Sequence, residues 1–156
     1  MHPSRELLST LFEGAPRFVD RLTHVEARGW DDLLDQAEEI ALTMPEDEQI
    51  ELLDAHPRIG AAPASVSALS YREQGYDHDE EASDLQERLD LLNYEYESKF
   101  GFRFVVFVSG RSRAEIADLM PDLLEAPREL EKERALREVV AIARSRLEMM
   151  REDLPA

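Results

Sequence analysis

Two clusters hold the side chains best suited to chemistry: His56-Pro57-Arg58-Ile59-Gly60 and, a short loop later, Ser70-Tyr71-Arg72-Glu73-Gln74-Gly75. Histidine moves protons near neutral pH. Pro57 biases His56 toward extended backbone and so ends the helix written before it. At a helix C-terminus the macrodipole favours the imidazolium form, which suits a proton donor. The same placement also serves a histidine that only satisfies the last carbonyls of its helix. Glu73 and Gln74 lie where no strong amphipathic period runs. A carboxylate and an amide on irregular backbone fit a pocket, and they equally fit a solvated loop. Arg146 is the third candidate. At 100° per residue it falls inside the apolar arc of Leu136, Val139, Ile142, Ala143, Leu147 and Met150. An arginine there needs an anion, backbone carbonyls or a route to water. Arg137, Arg144 and Arg151 share another edge of that helix.

The elements that must position these residues read almost entirely as helix. Pro3 or Ser4 opens a first helix to about Phe12, and Gly14 breaks it. Pro16 suits the start of a second, where its missing N–H costs nothing. Asp31 is the expected N-cap of a third, carrying Leu33, Leu34, Ala37, Ile40 and Ala41 at helical spacing. Thr43 and Glu46 have capping-box spacing for a fourth helix that ends at His56-Pro57, and Ser112 and Glu115 have it for another. A long helix is expected from about Asp79 to Lys99, and a last one from Pro127 to about Arg151. Residues 57–78 form the one long irregular stretch, with a helical turn expected around Val66–Glu73; such loops in small domains are usually functional or disordered. Only Phe102–Val108 reads as a strand. With no partner strand its backbone groups must be satisfied otherwise, and they are available to a ligand. The fold class is therefore all-α: a single-domain multi-helix bundle with one short buried extended segment, about 102–108.

Composition narrows the function classes. The 156 residues suffice for one domain with a real core. A net charge of −17, from 35 acidic against 18 basic residues, repels nucleic acid and anionic membranes. Lys99 and Lys132 are the only lysines, a bias that GC-rich coding or a salt-rich cytoplasm would each produce. No apolar run reaches membrane-spanning length, and the first residues lack the pattern of a signal peptide. A cytoplasmic location is expected. The absence of cysteine excludes disulfides, thiolate metal sites and a cysteine nucleophile. Asp77-His78-Asp79-Glu80-Glu81 lacks the spacing of a calcium loop and reads as a charged helix start. Phosphate loops, nucleophile elbows and zinc motifs are absent, so no metal site is expected.

In order along the chain stand Phe12-Glu13-Gly14-Ala15-Pro16, His56-Pro57, Ser70-Tyr71-Arg72-Glu73-Gln74, Leu92-Asn93, Lys99-Phe100-Gly101-Phe102 and Arg146-Leu147. This ordered set resembles the family of 2-oxo-4-hydroxy-4-carboxy-5-ureidoimidazoline (OHCU) decarboxylases, which act in urate breakdown. The resemblance covers most of the chain and implies one OHCU-decarboxylase-like domain over residues 1–156. It implies an all-α enzyme without cofactor, a homodimer, and a small anionic substrate converted to (S)-allantoin and CO2. His56 and Glu73 would be catalytic. Pro57, Ser70, Gln74, Arg146 and the backbone of Phe104, Val105, Val106, Phe107 and Val108 would bind substrate. The chain departs from the family pattern at Arg58-Ile59, at Arg103 and at Leu123-Leu124-Glu125-Ala126. Two other readings stand beside this one: the same scaffold acting on a different carboxylated ureide or heterocycle, and a non-catalytic helical domain that binds a partner protein.

Overall fold

The structure, a computed structural model, describes residues 1–60 and 83–151. Among these, seven helices follow one another: α1 (Arg5–Leu11), α2 (Pro16–Thr23), α3 (Trp30–Thr43), α4 (Glu46–Asp54), α5 (Ser83–Phe100), α6 (Arg113–Leu124) and α7 (Arg128–Met150). The described chain forms two compact units. One holds Met1–His56 with the chain from Leu136 onward, and the other holds Pro57–Ala135. No described helix is long and apolar enough to cross a membrane. The expectations for the Val66–Glu73 turn and the acidic run Asp77–Glu81 lie outside the described residues.

In the first unit, Ser4 caps α1 through a hydrogen bond that its side chain accepts from the Leu7 N–H, and Pro16 begins α2. Between them Glu13 and Gly14 take left-handed backbone, φ 53° and 74°. Two expected caps differ. Helix α3 starts two residues early, with Gly29 as its cap and Asp31 inside its first turn. Asp32 instead accepts from the Arg28 N–H at 2.9 Å, reaching back over the start of the helix. Thr43 closes α3, donating its hydroxyl to the Glu39 carbonyl, and the cap position of α4 falls to Pro45. A capping box needs an extended Ser or Thr at the cap itself, and Pro45 occupies that place. Leu8, Leu11, Phe18, Leu22, Leu33 and Leu52 form the core together with Val139, Ala143 and Leu147 of α7. Phe12 and Phe18 meet edge to face at 4.9 Å. Outside, Arg17 and Arg21 tie α2 to Asp47, Glu48 and Glu51 of α4. Arg144 pairs with Asp35 and Arg151 with Asp31, as an exposed arginine edge should.

The second unit is built on α5. Leu89, Leu92, Tyr96 and Phe100 line its buried face. Tyr96, Phe100, Phe102 and Phe104 form an aromatic cluster with ring centroids 4.7–5.9 Å apart. Ser112 and Glu115 make the expected capping box at the start of α6. Residues 103–108 carry neither helix nor ladder, and Phe104, Val105, Val106 and Val108 are buried. Arginine side chains replace a partner strand. Arg134 donates to the Val105 carbonyl at 2.9 Å, and Arg111 donates to those of Phe107 and Val108 at 2.5 and 3.0 Å.

Candidate active site

His56 follows the last turn of α4, and its ring is buried, 3% exposed. Its Nδ1 lies 2.9 Å from the Leu52 carbonyl oxygen, one turn back. A carbonyl only accepts, so Nδ1 carries the proton and Nε2 the lone pair in the neutral ring. Burial, opposed by the Leu52 bond and the Glu13 charge but aided by Arg146, pushes the imidazole pKa down from 6.5 to about 4. This corrects the expectation that the helix end would favour imidazolium. The dipole of one helix end contributes far less than the desolvation of a buried cation. At neutral pH His56 is a base.

Arg146 of α7 is 1% exposed, as the helical-wheel position required. Its Nη2 donates to Glu13 Oε1 at 2.5 Å and its Nη1 to the Thr10 carbonyl at 2.9 Å. The guanidinium thus finds both a carboxylate and the carbonyl end of α1, where a cation is favoured. Glu13 reaches it from the left-handed turn between α1 and α2. Sequence reasoning did not single out Glu13 for chemistry, although it lies within the Phe12–Pro16 motif. His56, Arg146 and Glu13 interact electrostatically within one unit.

In the other unit the turn after Pro57 is fastened to α5. Arg58 makes a two-pronged ion pair with Glu97 at 2.6 and 2.9 Å, and Asn93 Nδ2 donates to the Ile59 carbonyl at 2.9 Å. Gly60 has φ 83°, and a Cβ there would lie 3.1 Å from Leu89. The left-handed backbone favours glycine there, and a Cβ would be tight against the Leu89 side chain. A groove of about 430 Å³ opens here, lined by Arg58, Ile59, Asp90, Asn93, Tyr94 and Glu97.

A family model for OHCU decarboxylase matches residues 3–148. The chain belongs to the OHCU decarboxylase family. It is 32% identical over 144 residues to a uric acid degradation bifunctional protein of Bacillus sp. strain TB-90, covering 91% of this chain and 28% of that protein. It is also 34% identical over 100 residues to a 2-oxo-4-hydroxy-4-carboxy-5-ureidoimidazoline decarboxylase of Halalkalicoccus jeotgali, covering 64% of this chain and 57% of that one. The chain therefore spans about a quarter to somewhat over half the length of these relatives. Among solved structures, an OHCU decarboxylase in the presence of (S)-allantoin superposes with a TM-score of 0.77 at 23% identity, over 95% of this chain and 98% of that one. An (S)-allantoin synthase gives a TM-score of 0.66 at 21% identity, over 92% of this chain and 48% of that one. These likenesses show a shared all-α fold.

Of the residues the OHCU decarboxylase resemblance singles out, His56 and Arg146 share the first unit. Pro57 and Phe104–Val108 belong to the second. Ser70, Glu73 and Gln74 lie outside the described residues. Glu131 and Arg134 escaped sequence reasoning as well. Glu131 sits one turn before Ala135 on the buried line of α7, the same signal that marked Arg146. Among the described residues no group of carboxylates and histidines could hold a metal ion.

Proposed function

We propose that this chain decarboxylates OHCU to (S)-allantoin and CO2 in urate breakdown, acting without a cofactor. The observation that carries the reading is the buried trio of a neutral histidine, an arginine and its carboxylate in a member of this family. The substrate's carboxylate leaves from a carbon next to carbonyl and ring-nitrogen groups. Those groups accept the electron pair of the breaking C–C bond, so the substrate supplies its own sink. His56 acts as general acid/base: Nε2 takes the hydroxyl proton as CO2 departs, the hydroxyl-bearing carbon becomes a carbonyl, and a proton is returned to the neighbouring ureido-bearing carbon. Arg146 holds an oxygen of the substrate, and Glu73 orients the ring or His56. Ser70 and Gln74 bind ureido and ring groups, with Pro57 and the Phe104–Val108 backbone completing the contacts. Protonation from one fixed side yields one enantiomer.

The departure at Arg58 does not favour another substrate, because Glu97 engages its guanidinium. We treat residues 1–156 as one OHCU-decarboxylase-like domain, since the family match runs unbroken over 3–148. We further propose a cytoplasmic homodimer, whose stoichiometry sedimentation equilibrium reads directly.

The test generates the unstable substrate in situ with urate oxidase and hydroxyisourate hydrolase, and follows allantoin by circular dichroism. Fast, one-handed product that disappears in His56→Ala supports the reading. A parental trace no faster than the racemic background refutes it.

A further inference from the structure

We infer that Glu13 is a positioning residue: from the turn after α1 it fixes the plane of the Arg146 guanidinium, and so the direction in which Arg146 meets substrate. This deepens the proposed function and rests on its reading of Arg146 as a substrate contact. Thr10, Glu13, His56 and Arg146 all belong to the first unit.

Arginine is a long side chain with a planar head, and a head tied at one nitrogen still swings about that bond. Arg146 is tied at two. Its Nη2 donates to Glu13 Oε1 at 2.5 Å and its Nη1 to the Thr10 carbonyl at 2.9 Å. Together these anchors set the plane, and with it the direction of every other N–H of the group. The turn supplies both anchors. In an uninterrupted helix the Gly14 N–H would reach the Thr10 carbonyl. Here it donates to the Ser9 carbonyl at 2.8 Å, and Thr10 accepts from Arg146 instead. The same turn holds Glu13 at φ 53°, a left-handed conformation uncommon for glutamate. Backbone of this kind gathers at functional sites, where surrounding contacts hold it. The ion pair is shielded from water, its side chains 1% and 12% exposed, unlike the surface bridges that contribute little. The Glu13 charge also opposes the effect of Arg146 on the His56 ring.

The experiment compares Glu13→Gln and Glu13→Asp with the parent by steady-state kinetics on OHCU and by ¹⁵N spectra of the Arg146 Nη–H groups. Glu13→Gln keeps the length and an acceptor but loses the charge. Its KM should rise about tenfold with kcat held, the pattern of a contact made equally in the ground and transition states. Glu13→Asp keeps the charge one methylene short and should recover part of that loss. The parental Nη–H groups should give separate signals, because two anchors slow their rotation, and in Glu13→Gln those signals should broaden and merge. A purely structural role would lower the melting temperature and leave KM and these signals at parental values. That result overturns the inference, as does a KM below the parental one in folded Glu13→Gln. Merged Arg146 signals in the parent overturn it without any variant having to fold. Parental protein that forms no one-handed allantoin refutes the proposed function, and the Arg146 spectra then decide the role of Glu13 on their own.

Discussion

His56 combines two properties that seldom meet on an exposed helix end: a ring closed off from water and a fixed tautomer. The proton balance follows from its depressed pKa, about 4 against 6.5 in the unfolded chain. As pH falls below 6.5 the unfolded chain takes a proton that the folded one refuses. The stability contributed by the neutral ring is therefore full above pH 6.5 and lost as pH falls toward 4. Among the described residues, Arg146 and Glu13 are charged groups that act on it. His56→Gln should flatten the decline in melting temperature between pH 7 and pH 4.5, a loss otherwise of order a few kcal/mol. An unchanged slope would show that other groups govern acid unfolding. The same residue should cost roughly 10²–10⁴-fold in decarboxylation rate when replaced by Asn, measured as allantoin formed per second. Arg146→Ala removes an ion-pair partner from the Glu13 carboxylate in a nearly dry place. Urea denaturation should register a loss of about 3–5 kcal/mol, and a loss under 1 kcal/mol would mean that water replaces the pair.

The helices owe their ends to local chemistry, and those ends aim the site. The turn between α1 and α2 directs Glu13 at Arg146 only because Glu13 and Gly14 both accept left-handed backbone. Gly14→Ala meets no atom within 4 Å, so its cost is conformational alone. It should amount to roughly 1–2 kcal/mol by thermal denaturation. The reciprocal Ser112–Glu115 cap, with bonds of 3.1 and 3.4 Å, starts α6. Ser112→Ala should lower stability by about 1 kcal/mol. The segment before it shows another economy. Arginines supply donors to its carbonyls, so a buried non-helical stretch persists in an all-helical setting without a sheet.

At the scale of the whole molecule, charge dominates. A net −17 opposes an anionic substrate, so the guanidinium of Arg146 must act against the general field. Raising salt from about 0.01 M to 0.15 M shortens the Debye length from roughly 30 to 8 Å. The KM for OHCU should fall severalfold over that range with kcat held. A KM that rises with salt would show that local positive charge governs capture. The exposed Leu91 and Tyr94 of α5 give the non-catalytic reading its apolar surface, yet that reading assigns no use to the buried His56 and Arg146.

Periodicity and punctuation were enough to read the helices, the Pro16 start and the Ser112 cap, because each depends on neighbours three or four residues away. Arg146 was legible for the same reason, as a charge on a line of apolar residues. The caps at Asp31 and Thr43 were misread, since several adjacent polar residues compete for a helix start and packing selects among them. What sequence left open was pairing across the chain. Glu13 meets Arg146 across 133 positions, and Arg134 meets Val105 across 29. No local pattern encodes such meetings. The protonation of His56 belongs with them: residue type and helix end argued for a charged ring, and burial among residues distant in sequence made it neutral. Element choice follows from short-range sterics and hydrogen bonds, whereas desolvation and charge pairing exist only once the chain has closed around them.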